Sequence, residues 1–428
     1  MVIGTTGLRR SMMQIASAAT ALAVLAACAH PVIKDTAAHR MNMARAAHQN
    51  SLVLDGHADI VLASTSLSYQ GPDGRSKVAP DKLAAGGVGA VVMAVAVGPG
   101  PRTPEGDAAG RAEADEKLAA IRALDAAHDS LAIATTPEEV RAIRTRGQTA
   151  VILGFQNARS LEGDVAALDT FHAAGVRVFG LNHIGHNDFS DSSRPVYDGD
   201  TKTYEVQAEH GGLSALGVQA IERINALGGI VDVSQMSKDA TLQAIALSTS
   251  PVIASHSNAR ALSDVSRNLS DEEIDRIGET GGVIHVAAFG AYLVDLSDPD
   301  LLARIRAVRR EAGLPEAYSY PYELYWELDD PAEKTAFLTA MRDVIGRGSV
   351  DRMMDHIDYI VARIGVDHVG IGTDFNHGGG VEGFNEADEA FNVTLALVDR
   401  GYASADIGKI WGGNFLRVFQ SVSAAATD

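Results

Sequence analysis

The sequence is poor in residues that cross-link or stack. It holds one cysteine in 428 residues, with eleven phenylalanines, ten tyrosines and two tryptophans. A single cysteine excludes any intramolecular disulfide. Positive charge is also scarce, with 36 Lys and Arg against 55 Asp and Glu and a formal net charge of −19. A nucleic-acid binder presents a basic face, so no nucleic-acid partner is expected. Long apolar runs are missing except near the N-terminus. What remains, 46% hydrophobic and 21% charged, is a globular composition with ample material for a core.

The N-terminal exception carries information. Arg9 and Arg10 precede MMQIASAATALAVLAAC, a stretch of signal-peptide length that is too short and too Ala-rich for a spanning helix. It ends in Leu25-Ala26-Ala27-Cys28, which resembles a bacterial lipobox, where cleavage exposes a cysteine that takes a lipid. The expectation is a leader over 1–28, a tether or first helix over 29–49, and one domain over 50–428. Cys28 would then attach the mature chain to a bacterial envelope membrane, facing the periplasm, the alternative being export.

From residue 50 onward, short apolar segments alternate with amphipathic ones. Candidate strands are LVLDGH (52–57), VGAVVMAV (88–95), AVILGFQ (150–156), VRVFGLN (176–182), GIVDVS (229–234), PVIASH (251–256), GVIHVA (282–287) and HVGIGTD (368–374). Between them, apolar residues recur at three- and four-residue spacing, as in 110–127, 162–175, 213–228, 238–248 and 271–281, with Ser270 a candidate N-cap. The strands are almost continuously apolar, as parallel strands buried on both faces are. Eight such units predict an α/β fold, a TIM-like (β/α)8 barrel. An insertion at 288–350, between strand seven and its helix, is placed to cover the site. An open doubly wound sheet is the alternative, and no Gly-rich phosphate loop after the first strand supports it.

In such a barrel the chemistry gathers at the C-terminal strand ends. There the sequence has His57 and Asp59, then Gln156, His183, Gln235, His256 and Asp374. A lone histidine at a strand end is usually a satisfied polar residue. An HxD pair on strand one with a His on strand six and an Asp on strand eight is a rarer coincidence. Imidazole and carboxylate together suit Zn²⁺.

With these residues in place, the chain resembles the membrane (renal) dipeptidase family of metallopeptidases, in the amidohydrolase superfamily. The likeness runs from about residue 50 to about 420, through DGHAD (55–59), AGVRVFGLNH (174–183), GGLSALG (211–217), DVSQ (232–235), PVIASHS (251–257), RNL (267–269), TGGVI (280–284) and DHVGIGTDF (367–375). The resemblance implies a binuclear zinc barrel that hydrolyses dipeptides, and a homodimer. It matches His57 and Asp59 to ligands of one metal and His256 to a ligand of the second. Asp374 matches the residue that handles the water proton, His183 the one facing the substrate's developing oxyanion, and Arg267 the one gripping its C-terminal carboxylate.

Two positions depart from the family pattern. Gln156 stands where a bridging Glu belongs, and Gln235 where a strand-five His belongs. A neutral amide oxygen is a poor zinc ligand beside imidazole or carboxylate. At most one tightly held zinc is therefore expected, on His57, Asp59 and Asp374, with His256 a candidate fourth ligand. The expected function is a single-metal dipeptidase. The alternatives are a specialised enzyme for a peptide-derived metabolite, its Gln pair reading the substrate, or a non-catalytic envelope protein that binds peptide. His377 is a secondary candidate for a replacement ligand. His356 is expected to be structural, Asp191–Pro195 to fold their loop locally, His186, Asn187 and Asp188 to be hydrated or to line the pocket, and the aromatic cluster at 318–326 to be core or interface, or else an apolar wall over the substrate.

Overall fold

The computed structural model describes residues 37–198, 203–314 and 330–426, together with Met1, Thr201, Glu316 and Leu328. The leader with Cys28 and the aromatic cluster at 318–326 lie outside these residues. The chain divides into Met1–Asn42 and Met43–Asp428, and the architecture below is that of the second unit.

Its strands are β1 (Val53–Asp59), β2 (Val88–Ala96), β3 (Leu131–Ala134), β4 (Thr149–Gln156), β5 (Val176–Gly180), β6 (Tyr197–Asp198), β7 (Thr203–Tyr204), β8 (Ile230–Asp232), β9 (Ile253–Ala254), β10 (Val283–Ala287) and β11 (Val369–Gly372). Eight of them follow the order β1-β2-β4-β5-β8-β9-β10-β11, all parallel. The ends approach closure, because the Asp59 N–H donates to Phe375 O and the Asp374 N–H to His57 O, each at 2.9 Å. This is the expected (β/α)8 barrel. Two features are additions. β3 pairs with the first half of β4, ahead of the stretch of β4 that pairs with β5, and β6 and β7 form an antiparallel hairpin in the loop after β5.

Period-two alternation divides each strand between two cores. Val91, Met93, Val95, Val151, Leu153 and Phe155 pack outward into the helical layer. Ala90, Val92, Ala150, Ile152, Val178, Ile230, Ile253 and Val283 face the barrel interior. The inner cluster also takes in Phe415, Phe419 and Val422 of the C-terminal helix Asn414–Ala425, which stoppers the interior on the side away from the site. Higher up, His285 fills the axis. Gly56 faces its ring, and a Cβ there would come within 2.8 Å of His285 Cδ2.

The helices start where side chains can cap them. Thr103 and Thr136 each accept a hydrogen bond from a first-turn N–H and are each followed by proline and glutamate, which supplies cap, preset φ and dipole complement together. The insertion after β10 carries the helices Gly290–Leu293, Pro299–Glu311 and Pro331–Ile345 before Val350–Ile364 returns the chain to β11.

His356 has the expected structural role. Its Nδ1 accepts the Ala259 N–H at 3.1 Å, bracing the loop that follows His256. Burial and the nearby Arg352 push its pKa from 6.5 down to about 4. Between those values the unfolded chain binds a proton that the folded chain refuses, so this group's contribution falls as pH drops from 6.5 to 4. The loss amounts to about 3 kcal/mol at 1.36 kcal/mol per unit. In His356→Asn, whose amide oxygen can still accept the Ala259 N–H, unfolding free energy measured across this range should depend on pH less steeply, by up to one proton.

Candidate metal centre

The mouth is built from residues where the backbone turns sharply off each strand. Among the described residues five non-glycines have positive φ, and four of them lie just beyond strand ends: Asn157 after β4, Gln235 after β8, and Asp374 and Asn376 after β11. Such backbone is costly outside glycine, least so for Asn and Asp, and gathers at functional sites.

His57, His256 and Asp374 converge, each offering one ligand atom within 4.8 Å of the others, and all three are buried. The two imidazoles stack with centroids 3.9 Å apart. Asp59 stands beside this group, its Oδ1 3.5 Å from His57 Nε2 and otherwise without a hydrogen-bond partner. Its Oδ2 accepts from His377 Nδ1 at 2.9 Å, and His377 Nε2 lies 3.1 Å from His183 Nε2. His377 thus braces Asp59 and His183 and lies outside the converging trio.

Electrostatics follow from this packing. Burial opposes ionisation of Asp59, but His377 and His57 hold its pKa well below the usual carboxylate range. Burial would lower both His57 and His377, yet the Asp59 and Asp374 carboxylates raise both above their ordinary value. His183 and His256 are driven well below it, chiefly by burial, then by a neighbouring imidazole. Asp374 is raised by burial against the pull of His377 and His57.

A hydrogen-bonded chain fixes the proton positions behind His256. Asp232 Oδ2 accepts from Ser255 Oγ at 2.5 Å. That oxygen lies 2.7 Å from His256 Nδ1, and with its own proton committed to Asp232 it accepts the Nδ1 proton. His256 Nε2 therefore carries its lone pair toward the mouth, as a metal ligand requires. Gln235 Nε2 lies 3.3 Å from that atom, leaving Gln235 Oε1 buried with no partner. Gln156 is buried at the top of β4's inward-facing residues, its Nε2 likewise unpartnered.

Arg267 is buried behind His256, donating to Ser257 Oγ at 2.9 Å and to His256 O at 2.5 Å, with Nε unpartnered. The loop after β5 is tied down rather than hydrated. His186 Nδ1 accepts from the Ser192 N–H at 2.9 Å, and Asn187 Oδ1 accepts the N–H groups of Phe189 and Ser190. Asp191 reaches across this loop to the N–H groups of Glu209, His210 and Gly212, on the far side of the β6–β7 hairpin in sequence. Asp188 is exposed and pairs with Arg102.

Sequence reasoning passed over Asp55 and Asp232. Asp55 accepts from the N–H groups of His57 and Thr373 and from Thr373 Oγ1, tying β1 to β11 beneath the trio, and burial raises its pKa to about 7. Both residues lie in motifs quoted above, DGHAD and DVSQ, two and three places before the site residues.

The family model of membrane dipeptidases, peptidase family M19, matches residues 41–428. The chain belongs to this family. Among solved structures it is similar to the probable dipeptidase PvdM from Pseudomonas aeruginosa, at 34% identity and a TM-score of 0.80 over 91% of this chain and 100% of that one. A metallo peptidase from Rhodobacter sphaeroides, liganded with a phosphinate mimic of L-Ala-D-Ala, shares the fold at 19% identity and a TM-score of 0.66, over 87% of this chain and 100% of that one. Dipeptidase tcpJ from Claviceps purpurea is 28% identical over 309 residues, 71% of this chain and 58% of the relative. The chain spans 53–59% of the length of the first three curated relatives it matches.

Proposed function

We propose that this chain is a dipeptidase working with one zinc ion held by His57, His256 and Asp374, with Asp59 beside them. The supporting observation is the convergence of two imidazoles and a carboxylate at the barrel mouth. This donor set suits a catalytic zinc, which takes three protein ligands and keeps an open position. The unsatisfied Asp59 Oδ1 supports a cation there as well. The count of one rests on Gln156 and Gln235, which leave the second half-site without its bridging carboxylate and one imidazole.

When bound, such an ion supplies a Lewis acid that lowers the pKa of water. The chain's own residues do the rest. Asp374, its basicity raised by burial, takes the proton from the attacking water and returns it to the leaving amine. His183 faces the scissile carbonyl and stabilises the charge that develops on its oxygen. Arg267 offers its remaining N–H groups to the substrate carboxylate. The cysteine at 28 would hold the protein to the membrane by lipid, on the strength of the sequence alone.

The test is release of free amino acids from a dipeptide panel, abolished by a chelator and restored by zinc. One observation favours a binding protein instead: Gln235 Nε2 caps the His256 nitrogen that a metal needs. Tight peptide binding without turnover at any zinc loading would decide for that reading.

A further inference from the structure

We propose that Asp232 is a positioning residue which, through Ser255, commits His256 to the tautomer that a zinc ligand needs. This rests on the assignment of His256 as a ligand in the proposed function. The two carboxylate oxygens of Asp232 have different tasks. Oδ1 accepts the backbone N–H groups of Ser234 and Ser255, each at 2.9 Å, and so joins the ends of β8 and β9. Oδ2 accepts the Ser255 hydroxyl proton at 2.5 Å. A hydroxyl has one proton to give. With that proton on Asp232, Ser255 Oγ serves its other neighbours as an acceptor. The nearest is His256 Nδ1 at 2.7 Å, while Ser234 Oγ at 3.4 Å and His57 Nδ1 at 3.5 Å stand at the edge of hydrogen-bonding range. Asp232, Ser255 and His256 are all buried, so bulk water offers no alternative partner. The carboxylates at the mouth pull the other way. Asp374 has an oxygen within 4.8 Å of a His256 ring nitrogen and favours a proton on Nε2, as does Asp59 beside it. The shorter contacts behind the ring hold the proton on Nδ1.

An amide at position 232 separates the two tasks. In Asp232→Asn the side-chain oxygen stays on the two backbone N–H groups, because an NH2 group there would face two donors. The NH2 group is then turned to Ser255 Oγ and donates to it. Ser255 must pass its own proton on, and the acceptor 2.7 Å away is His256 Nδ1. The imidazole proton moves to Nε2, which then has no lone pair for a metal. The Gln235 amide lies 3.3 Å from Nε2 and competes with zinc for that lone pair in the wild type. Gln235→Ala removes this competitor and leaves the chain behind His256 intact, so Asp232→Asn should act in the same direction in either background.

Nitrogen-15 NMR of the zinc-free full chain reads the His256 tautomer, assigned by the signal missing from His256→Gln. Competition with a chelator reads zinc affinity. The wild type should show the Nδ1–H form and Asp232→Asn the Nε2–H form. Zinc should bind the variant about 10–100-fold more weakly, the range for loss of a group that orients a metal ligand, with circular dichroism unchanged. Ser255→Ala, which keeps the carboxylate and removes the relay, should also weaken zinc binding, and it carries the test if Asp232→Asn does not fold. An unchanged tautomer in folded Asp232→Asn overturns the proposal, as does an unchanged zinc affinity in Ser255→Ala. A wild type that binds no zinc would sink the one-zinc reading, and the tautomer alone would then support or remove the role of Asp232.

Discussion

Asp374→Asn should lower dipeptide turnover by roughly 10²–10⁴-fold, the range for loss of a positioned general base, with the melting temperature little changed. The backbone explains the second half of this expectation. Asp374 has φ +56°, a left-handed conformation that asparagine adopts about as readily as aspartate and most other side chains adopt less readily. Its backbone N–H holds His57 O in the barrel closure at 2.9 Å, and that bond survives the substitution. What disappears is a carboxylate within 4.8 Å of the ligand atoms of His57 and His256. The loss should appear in kcat, because the amide still fills the space but neither accepts the water proton nor holds zinc as a carboxylate does. Initial rates on the best substrate of a dipeptide panel, read beside thermal denaturation, check this. Activity within tenfold of wild type would remove Asp374 from the chemistry.

The second large effect is a gain. Gln156→Glu combined with Gln235→His should create a second tight zinc site. The backbone at residue 235 has φ +67°, where histidine is more at home than glutamine. A His there lies next to His256, now 3.3 Å from the Gln235 amide, and a Glu at the end of β4 replaces a buried amide with a buried carboxylate. Without metal that carboxylate has no dication to compensate it, so the zinc-free double variant should be less stable than wild type. With zinc the order should reverse, since ligand at a thousand times its Kd adds about 4 kcal/mol. Melting temperatures with chelator and with zinc measure both halves. The same upward shift in wild type and double variant would mean that the two amides do not limit metal binding.

The barrel was legible because its strands are buried on both faces and read as apolar runs. β3 was missed because LAIA is four residues long and lies between two helical patterns. The helix Pro104–Ala127 begins six residues before the expected start at 110, although Thr103-Pro104-Glu105 is a start signal plainly written in the sequence. Near the mouth, His57, His256 and Asp374 came together as strand order demands. Asp59 stands beside that trio with one oxygen held by His377, and no periodicity reveals a contact between residues 318 positions apart. The Asp232–Ser255–His256 chain was hidden for the same reason. It joins the ends of β8 and β9, and the direction of its protons depends on which atoms meet.

The central claim is that, with amides at positions 156 and 235, the trio of His57, His256 and Asp374 holds one zinc and the mouth holds no second one. Metal content by plasma mass spectrometry, after zinc loading and exhaustive dialysis of the wild-type protein, tests it most directly. The account predicts about one equivalent of zinc per chain. Two equivalents retained, or none, would contradict it.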